Sequence, residues 1–278
     1  MSSNIYQKIL AFYPFLTKRE KDSFKRKAAP IIRNGASNNL ELKEIIEKLL
    51  RLLNNPHADI KRYKKSTKKE AERKHSPSFN IEKKIIFIKI SSWTMWLGDF
   101  SKKLVNVCVK NLNKYDGIII DVRENYGGSS STAFNFARIF FDKSVIYGRF
   151  IKRISDKGLK TSIGRLSPDK KNFINKPIVI LVSKKCFSST ELFLSLFKIS
   201  KRAVIIGEKT RGGSGCPISE IIKINKVKYI VRIPTWRFFL KGKNKPIEKT
   251  KINPDLTYKK SDIEEFAKKY LLEHHKND

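Results

Sequence analysis

The sequence predicts an α/β fold of the mixed (α+β) kind, in which a helical region precedes a core of strands and helices. Short runs rich in isoleucine and valine recur at 85–90, 117–122, 177–183 and 203–207, the pattern of strands buried on both faces. Turns containing glycine or serine follow the second and third runs, and apolar residues at helical spacing come next. Repeated strand–turn–helix units predict a parallel sheet with right-handed crossovers.

The first part of the chain, residues 1–60, is predicted to be helical. Its clearest helix lies within 40–53, where leucine and isoleucine recur at helical spacing. Pro56 ends this region because proline cannot continue the helical hydrogen-bond pattern, and His57 follows at once. The next segment, 61–78, is charged and almost free of apolar residues, so we interpret it as a basic linker.

Residues 79–278 are predicted to form the core domain. Besides the strands, the sequence predicts helices at 99–115, 130–141 and 261–272 and a β-hairpin at 218–234. The segments 148–169 and 236–246 are interpreted as basic loops, the first with a short strand.

The charge of the chain is strongly positive, with 60 lysines and arginines against 26 acidic residues and a formal net charge of +34. A surplus of this size is compatible with a polyanionic partner such as a nucleic acid. However, the lysines are scattered and no nucleic-acid-binding motif is present, which favours a solvated basic surface. The exception is the segment between Lys61 and Lys74, where an acidic partner is an option.

Cysteines and apolar runs exclude several other classes of protein. Three cysteines at no metal-ligand spacing argue against a disulfide framework or a zinc site, and no metal or cofactor is expected. No apolar run approaches the roughly 18 residues of a membrane-spanning helix. The first residues lack a signal-peptide pattern, so a cytoplasmic location is expected.

Two turns of the predicted sheet carry groups suited to chemistry. Ser188 and Ser189 lie where the strand at 177–183 gives way to a helix, beside helix amides that can stabilise an anion. Ser188 could equally be an N-cap, with Glu191 completing a capping box. Gly127 and Gly128 can present backbone amides to a ligand, although a plain turn explains this pair as well.

The segments DVRENYGG at 121–128, FSSTE at 187–191 and GEKTRGG at 207–213 resemble the catalytic core of the C-terminal processing (tail-specific) serine protease family. The segment LLNNPHADI at 52–60 is similar to the histidine segment of its tricorn-core-like branch. The resemblance implies a ClpP/crotonase-like βα core and peptide or protein substrates. The segment 61–78 is too short to hold the PDZ domain that many members carry. Because tricorn-like members assemble, the resemblance is also compatible with a homo-oligomer.

The same resemblance implies a role for each site residue. It implies Ser188 as the nucleophile and His57 as the general base, and Glu248, in a segment similar to the family's acid segment, as the orienting acid. The amides of Gly127 or Gly128 and of Ser189 would form the oxyanion hole. Other members use a lysine base, but its position is occupied here by Gly213.

These observations predict a serine endopeptidase that works through an acyl-enzyme and a Ser-His-Glu triad. The alternative is a catalytically inactive member that binds a peptide or a hydrophobic ligand. A surface position for Glu248 also remains open, because the sequence alone does not bring that residue to His57.

Overall fold

The computed structural model describes residues 2–37, 41–64, 77–93, 100–154, 158–213 and 215–274. The helices are α1 (Ser2–Phe12), α2 (Lys18–Ser37), α3 (Leu42–Arg51), α4 (Phe100–Lys110), α5 (Ser130–Ala137), α6 (Ser189–Ser200), α7 (Ile247–Thr250) and α8 (Ile263–His274). The strands are β1 (Asp59–Arg62), β2 (Ser78–Glu82), β3 (Ile85–Lys89), β4 (Gly117–Asp121), β5 (Val145–Arg153), β6 (Leu159–Leu166), β7 (Ile178–Val182), β8 (Val204–Gly207), β9 (Ile218–Ile224), β10 (Val227–Ile233), β11 (Trp236–Leu240) and β12 (Leu256–Thr257).

The central sheet has the strand order β12-β8-β7-β4-β3-β2. Its members from β3 to β12 pair in parallel, and β2 joins the edge as an antiparallel hairpin partner of β3. Every residue of β4 and of β7 is buried, and all of them are apolar or glycine except Asp121 at the end of β4, which forms an ion pair with Arg123. The predicted mixed α/β fold with a parallel sheet is confirmed.

Helices cover both faces of this sheet. Alternate residues of β4 separate the two layers: Ile118 and Ile120 face the larger core, which includes Phe136 of α5 and Phe193 of α6. Ile119 faces the opposite side, where α8 supplies Ile263, Ala267 and Leu271. The sheet therefore holds α6, which follows β7, on one face and α8 on the other.

The N-terminal helices pack against a second sheet with the order β1-β10-β9. The hairpin of β9 and β10 confirms the one predicted at 218–234. Lys61 and Arg62, the first residues of the predicted linker, pair with β10 as part of β1. Most of the basic segment, residues 65–76, lies outside the described residues, and the boundaries at 60 and 79 stay predictions.

The segment 148–169, predicted as a basic loop with a short strand, contains most of β5 and all of β6, and the predicted loop at 236–246 begins with β11. These strands form a third sheet with the order β11-β5-β6, so the prediction that these segments are mainly loop was wrong. The reason is that basic residues interrupt the apolar ones along these strands: Val145 and Tyr147 of β5 are buried, and Arg149, Lys152 and Arg153 follow on the same strand. The positive charge of these segments therefore favoured the interpretation as loops. The last helix, predicted from 261, begins at Ile263.

None of the helices in the described part of the chain has both the length and the apolar character needed to cross a membrane.

Candidate active site

Ser188 occupies a tight turn between β7 and α6. Its backbone has φ 59° and ψ −125°, a conformation that residues other than glycine rarely adopt and that costs about 1–3 kcal/mol. The turn is held by Glu191, whose carboxylate accepts a hydrogen bond from the Ser188 amide at 3.3 Å. Ser189 follows as the first residue of α6 and is buried. The strained turn presents the Ser188 hydroxyl at the carboxyl end of a buried strand.

His57 meets this hydroxyl, with 2.9 Å between its Nε2 and the Oγ of Ser188. The imidazole is buried and stacks on the ring of Phe187, with 4.4 Å between the ring centroids. The Oδ1 atom of Asn55 accepts a hydrogen bond from the His57 backbone amide at 3.0 Å and so shapes the turn between α3 and β1. The structure thus brings together the serine and the histidine that the sequence singled out.

Glu248 lies in α7 and belongs to the same polar network through Asn55. The side-chain amide of Asn55 donates to Oε1 of Glu248 at 3.2 Å, while its carbonyl oxygen accepts from His57. Asn55 is buried and connects the two candidate residues. The sequence by itself assigned no role to Asn55.

Gly127 and Gly128 lie against the nucleophile turn with φ of 101° and 133°. A Cβ on Gly127 would lie 2.8 Å from Cβ of Ser188, and a Cβ on Gly128 would lie 2.3 Å from the Trp93 carbonyl oxygen. Only glycine fits at either position. The amide of Gly127 donates to Oδ1 of Asn125 at 2.9 Å, so it is already engaged within the turn.

The carboxyl group of Glu191 is fully buried and holds the loop at 210–213 against the nucleophile turn. Besides the Ser188 amide, it accepts hydrogen bonds from the Thr210 hydroxyl and from the amides of Gly212 and Gly213 at 2.9 and 2.7 Å. Burial raises the pKa of Glu191 to about 8, and these hydrogen bonds oppose the rise. The sequence marked Glu191 only as a helix cap.

Asn125 holds the turn of Gly127 and Gly128 in place through its side-chain hydrogen bonds, as Glu191 holds the loop at 210–213. It is fully buried, and its Oδ1 accepts from the Thr190 hydroxyl at 2.7 Å as well as from Gly127. Its side-chain amide donates to the Ile90 carbonyl at 3.1 Å. The turn is therefore fastened to the first turn of α6. A polar residue between a buried strand and a glycine pair was the available signal, but we missed it.

Two alternative nucleophile or base assignments do not fit the geometry. Cys186 is buried and its Sγ donates to the Val122 carbonyl at 3.1 Å; burial raises the pKa of this thiol to about 12. Gly213 stands where other family members carry lysine, and a Cβ there would lie 1.9 Å from the Phe187 ring. A lysine at 213 would displace the ring on which His57 stacks.

Comparison with known proteins matches residues 84–258 to the model of peptidase family S41. The chain is 29% identical over 104 residues to carboxyl-terminal-processing peptidase 2 of Arabidopsis thaliana, which covers 36% of this chain and 18% of that protein. It is 26% identical over 121 residues to a carboxyl-terminal-processing protease of Picosynechococcus, covering 42% and 28%. The matched stretch thus spans less than a third of these relatives.

Solved structures share the fold at low identity. A putative peptidase of Parabacteroides merdae superposes with a TM-score of 0.64 at 18% identity and 84% coverage of both chains. A lipoprotein of Streptococcus agalactiae superposes with a TM-score of 0.66 at 16% identity, covering 98% of this chain and 94% of that one. Since the family model matches well over half of the sequence, the chain belongs to peptidase family S41.

Proposed function

We propose that the chain is a serine peptidase that hydrolyses peptide or protein substrates through an acyl-enzyme on Ser188. The observation that carries this proposal is the 2.9 Å contact between Nε2 of His57 and Oγ of Ser188. At this distance a neutral imidazole can take the hydroxyl proton while the oxygen attacks the scissile carbonyl carbon.

The proton transfers of the remaining steps use these two side chains and water. Collapse of the tetrahedral intermediate breaks the carbon–nitrogen bond, and the imidazolium of His57 gives its proton to the leaving amine. A water molecule, deprotonated by the same imidazole, attacks the acyl carbon. The ester bond to Oγ of Ser188 then breaks, the imidazolium returns its proton to that oxygen, and the carboxylic acid product leaves. The Phe187 ring that stacks on His57 supports a single orientation of the imidazole for all of these steps.

We assign the oxyanion hole to the backbone amides of Gly128 and Ser189. The amides of their neighbours are already engaged, that of Gly127 by Asn125 and that of Ser188 by Glu191. Of the three residues predicted for the oxyanion hole, this leaves Gly128 and Ser189 as hydrogen-bond donors to the substrate carbonyl oxygen. Gly127 instead allows the glycine turn to approach Ser188 closely. Fixed donors of this kind stabilise the negative charge that develops on the carbonyl oxygen.

Glu248 is assigned the role of the acid that stabilises the imidazolium of His57. The support is the position of Asn55, which is hydrogen-bonded to both residues. A carboxylate near the base fixes the imidazole tautomer and favours its charged form. The Ser-His-Glu triad is thus part of the proposal.

Labelling with a fluorophosphonate probe tests the proposal, because the probe reacts only with an activated serine. We expect the parent to be labelled and Ser188→Ala and His57→Ala not to be. Ser219→Ala, which removes an exposed hydroxyl on β9, is the control and should label like the parent. Labelling that survives Ser188→Ala would refute the nucleophile, and a folded but unlabelled parent would favour the inactive, ligand-binding alternative.

The cytoplasmic location, self-assembly and an acidic partner for the basic segment remain predictions that this experiment does not address.

A further inference from the structure

Arg211 places a positive charge beside the candidate catalytic pair. Its guanidinium lies over the Phe187 ring, 5.0 Å from the ring centroid, and His57 stacks on the same ring at 4.4 Å. The Arg211 amide donates to the Cys186 carbonyl at 3.0 Å, which ties this residue to the loop that carries Phe187. The charge therefore lies no farther from the imidazole centre than the sum of the two ring distances.

This charge is not neutralised by the part of the protein that the structure describes. The partly buried arginines Arg123 and Arg232 form ion pairs with aspartates, whereas no described carboxylate pairs with the exposed Arg211. The carboxyl group of Glu191 in α6, which contacts this loop, is occupied by the Thr210 hydroxyl and by backbone amides. The Arg211 side chain is exposed and can receive an anion from solution.

Neighbouring residues add to the positive potential. Lys209 is exposed two positions before Arg211, and Cγ of Lys251 lies 2.9 Å from the place that a Cβ on Gly212 would occupy. We call Lys209, Arg211 and Lys251 the basic rim. The loop that carries Arg211 is tied through Glu191 to the nucleophile turn, so positive charge on it attracts substrates of the opposite sign.

The chemistry of peptide cleavage indicates which part of a substrate meets this rim. His57 must reach the leaving amine to protonate it, so the C-terminal half of the substrate runs past the imidazole. An extended peptide advances about 3.3 Å per residue, so the upper limit on the distance from imidazole to guanidinium corresponds to about three residues.

We propose that Arg211 binds a carboxylate that the substrate carries within about three residues on the C-terminal side of the scissile bond. The inference rests on the proposed function and adds the class of substrate. Guanidinium and carboxylate form paired, charge-assisted hydrogen bonds, which a neutral amide cannot match. Two sources supply this group: the free terminal carboxylate of a chain that ends there, or an aspartate or glutamate side chain.

Matched, internally quenched peptides separate these sources. One set places aspartate or asparagine at each position after the scissile bond in turn, and a second set ends there as a free acid or as an amide. Each peptide is tested as a substrate and as a competitor of fluorophosphonate labelling, so that binding is measured even where turnover is slow. The enzymes are the parent, Arg211→Gln, Arg211→Lys and the control Arg165→Gln, which removes an exposed charge on β6.

We expect the parent to prefer the carboxylate peptide about tenfold in kcat/KM or in protection from labelling, an advantage that shrinks with added salt. Arg211→Gln should bring the ratio close to one with little change toward the neutral peptide, Arg211→Lys should retain part of it, and Arg165→Gln should retain all of it. A labelled parent without the preference, or a preference that survives in Arg211→Gln, would overturn this inference and leave the peptidase standing. An unlabelled parent would overturn both.

Discussion

Replacement of Glu191 by glutamine tests how the nucleophile turn at Ser188 and the loop at 210–213 are held together. Burial raises the pKa of Glu191 to about 8, from 4.5 for an exposed glutamate, although the donors around it oppose the rise. Near pH 5 the folded protein therefore carries the protonated carboxyl group, which is uncharged, as the glutamine side chain is. Near pH 9 it carries the carboxylate, which glutamine does not imitate.

The free energy of unfolding should respond to pH through this group. Between the two pKa values the folded state holds a proton that the unfolded chain has released, so stability falls as the pH rises. In this range the free energy of unfolding falls by about 1.4 kcal/mol for each pH unit, so the total loss between pH 5 and pH 8 is about 4 kcal/mol. That is a large part of the roughly 5–15 kcal/mol that stabilises a typical domain.

Urea unfolding followed by tryptophan fluorescence measures this effect in the parent and in Glu191→Gln. All other titrating groups are common to both proteins and cancel in the difference. We expect the difference to shift by about 4 kcal/mol in favour of Glu191→Gln from pH 5 to pH 8. A difference that stays constant over this range would refute a titrating Glu191 as the group that links the loops.

Two further substitutions test the catalytic geometry. Gly127→Ala should slow fluorophosphonate labelling about a hundredfold, because the added Cβ would push against Ser188. The control Gly158→Ala is also at positive φ but has nothing within 4 Å of an added Cβ, so it should label at the parent's rate. Equal labelling rates for the two variants would contradict the close approach of Gly127 to Ser188. Glu248→Gln keeps an oxygen for Asn55 but loses the charge, so peptide hydrolysis should fall at least about a hundredfold, whereas the exposed neighbour change Lys249→Gln should have little effect. Unchanged hydrolysis by Glu248→Gln would remove this residue from the triad.

The extent of prediction from sequence differed between kinds of strand. The strands β4 and β7 were predictable because a strand buried on both faces is almost wholly apolar. The strands β5, β6 and β11 were missed, apart from one short strand, because basic residues interrupt their apolar ones. Their pairing with one another, rather than their composition, makes them strands.

Around the site, the sequence by itself determined the local features: a serine between a buried strand and a helix, and a glycine pair after the neighbouring strand. These follow from short-range patterns that the chain carries wherever it folds. The sequence did not determine the roles of Asn55, Asn125 and Glu191. A polar residue near a turn gives the same local sequence pattern whether its side chain faces solvent or hydrogen-bonds within a buried network.

Only the tertiary structure decided that His57 meets Ser188 across 131 residues of sequence. That contact depends on the N-terminal helices packing on the β1-β10-β9 sheet, which delivers His57 from the end of α3 to the carboxyl edge of the central sheet. No local pattern encodes such a meeting, because it results from burying two separate apolar surfaces at once.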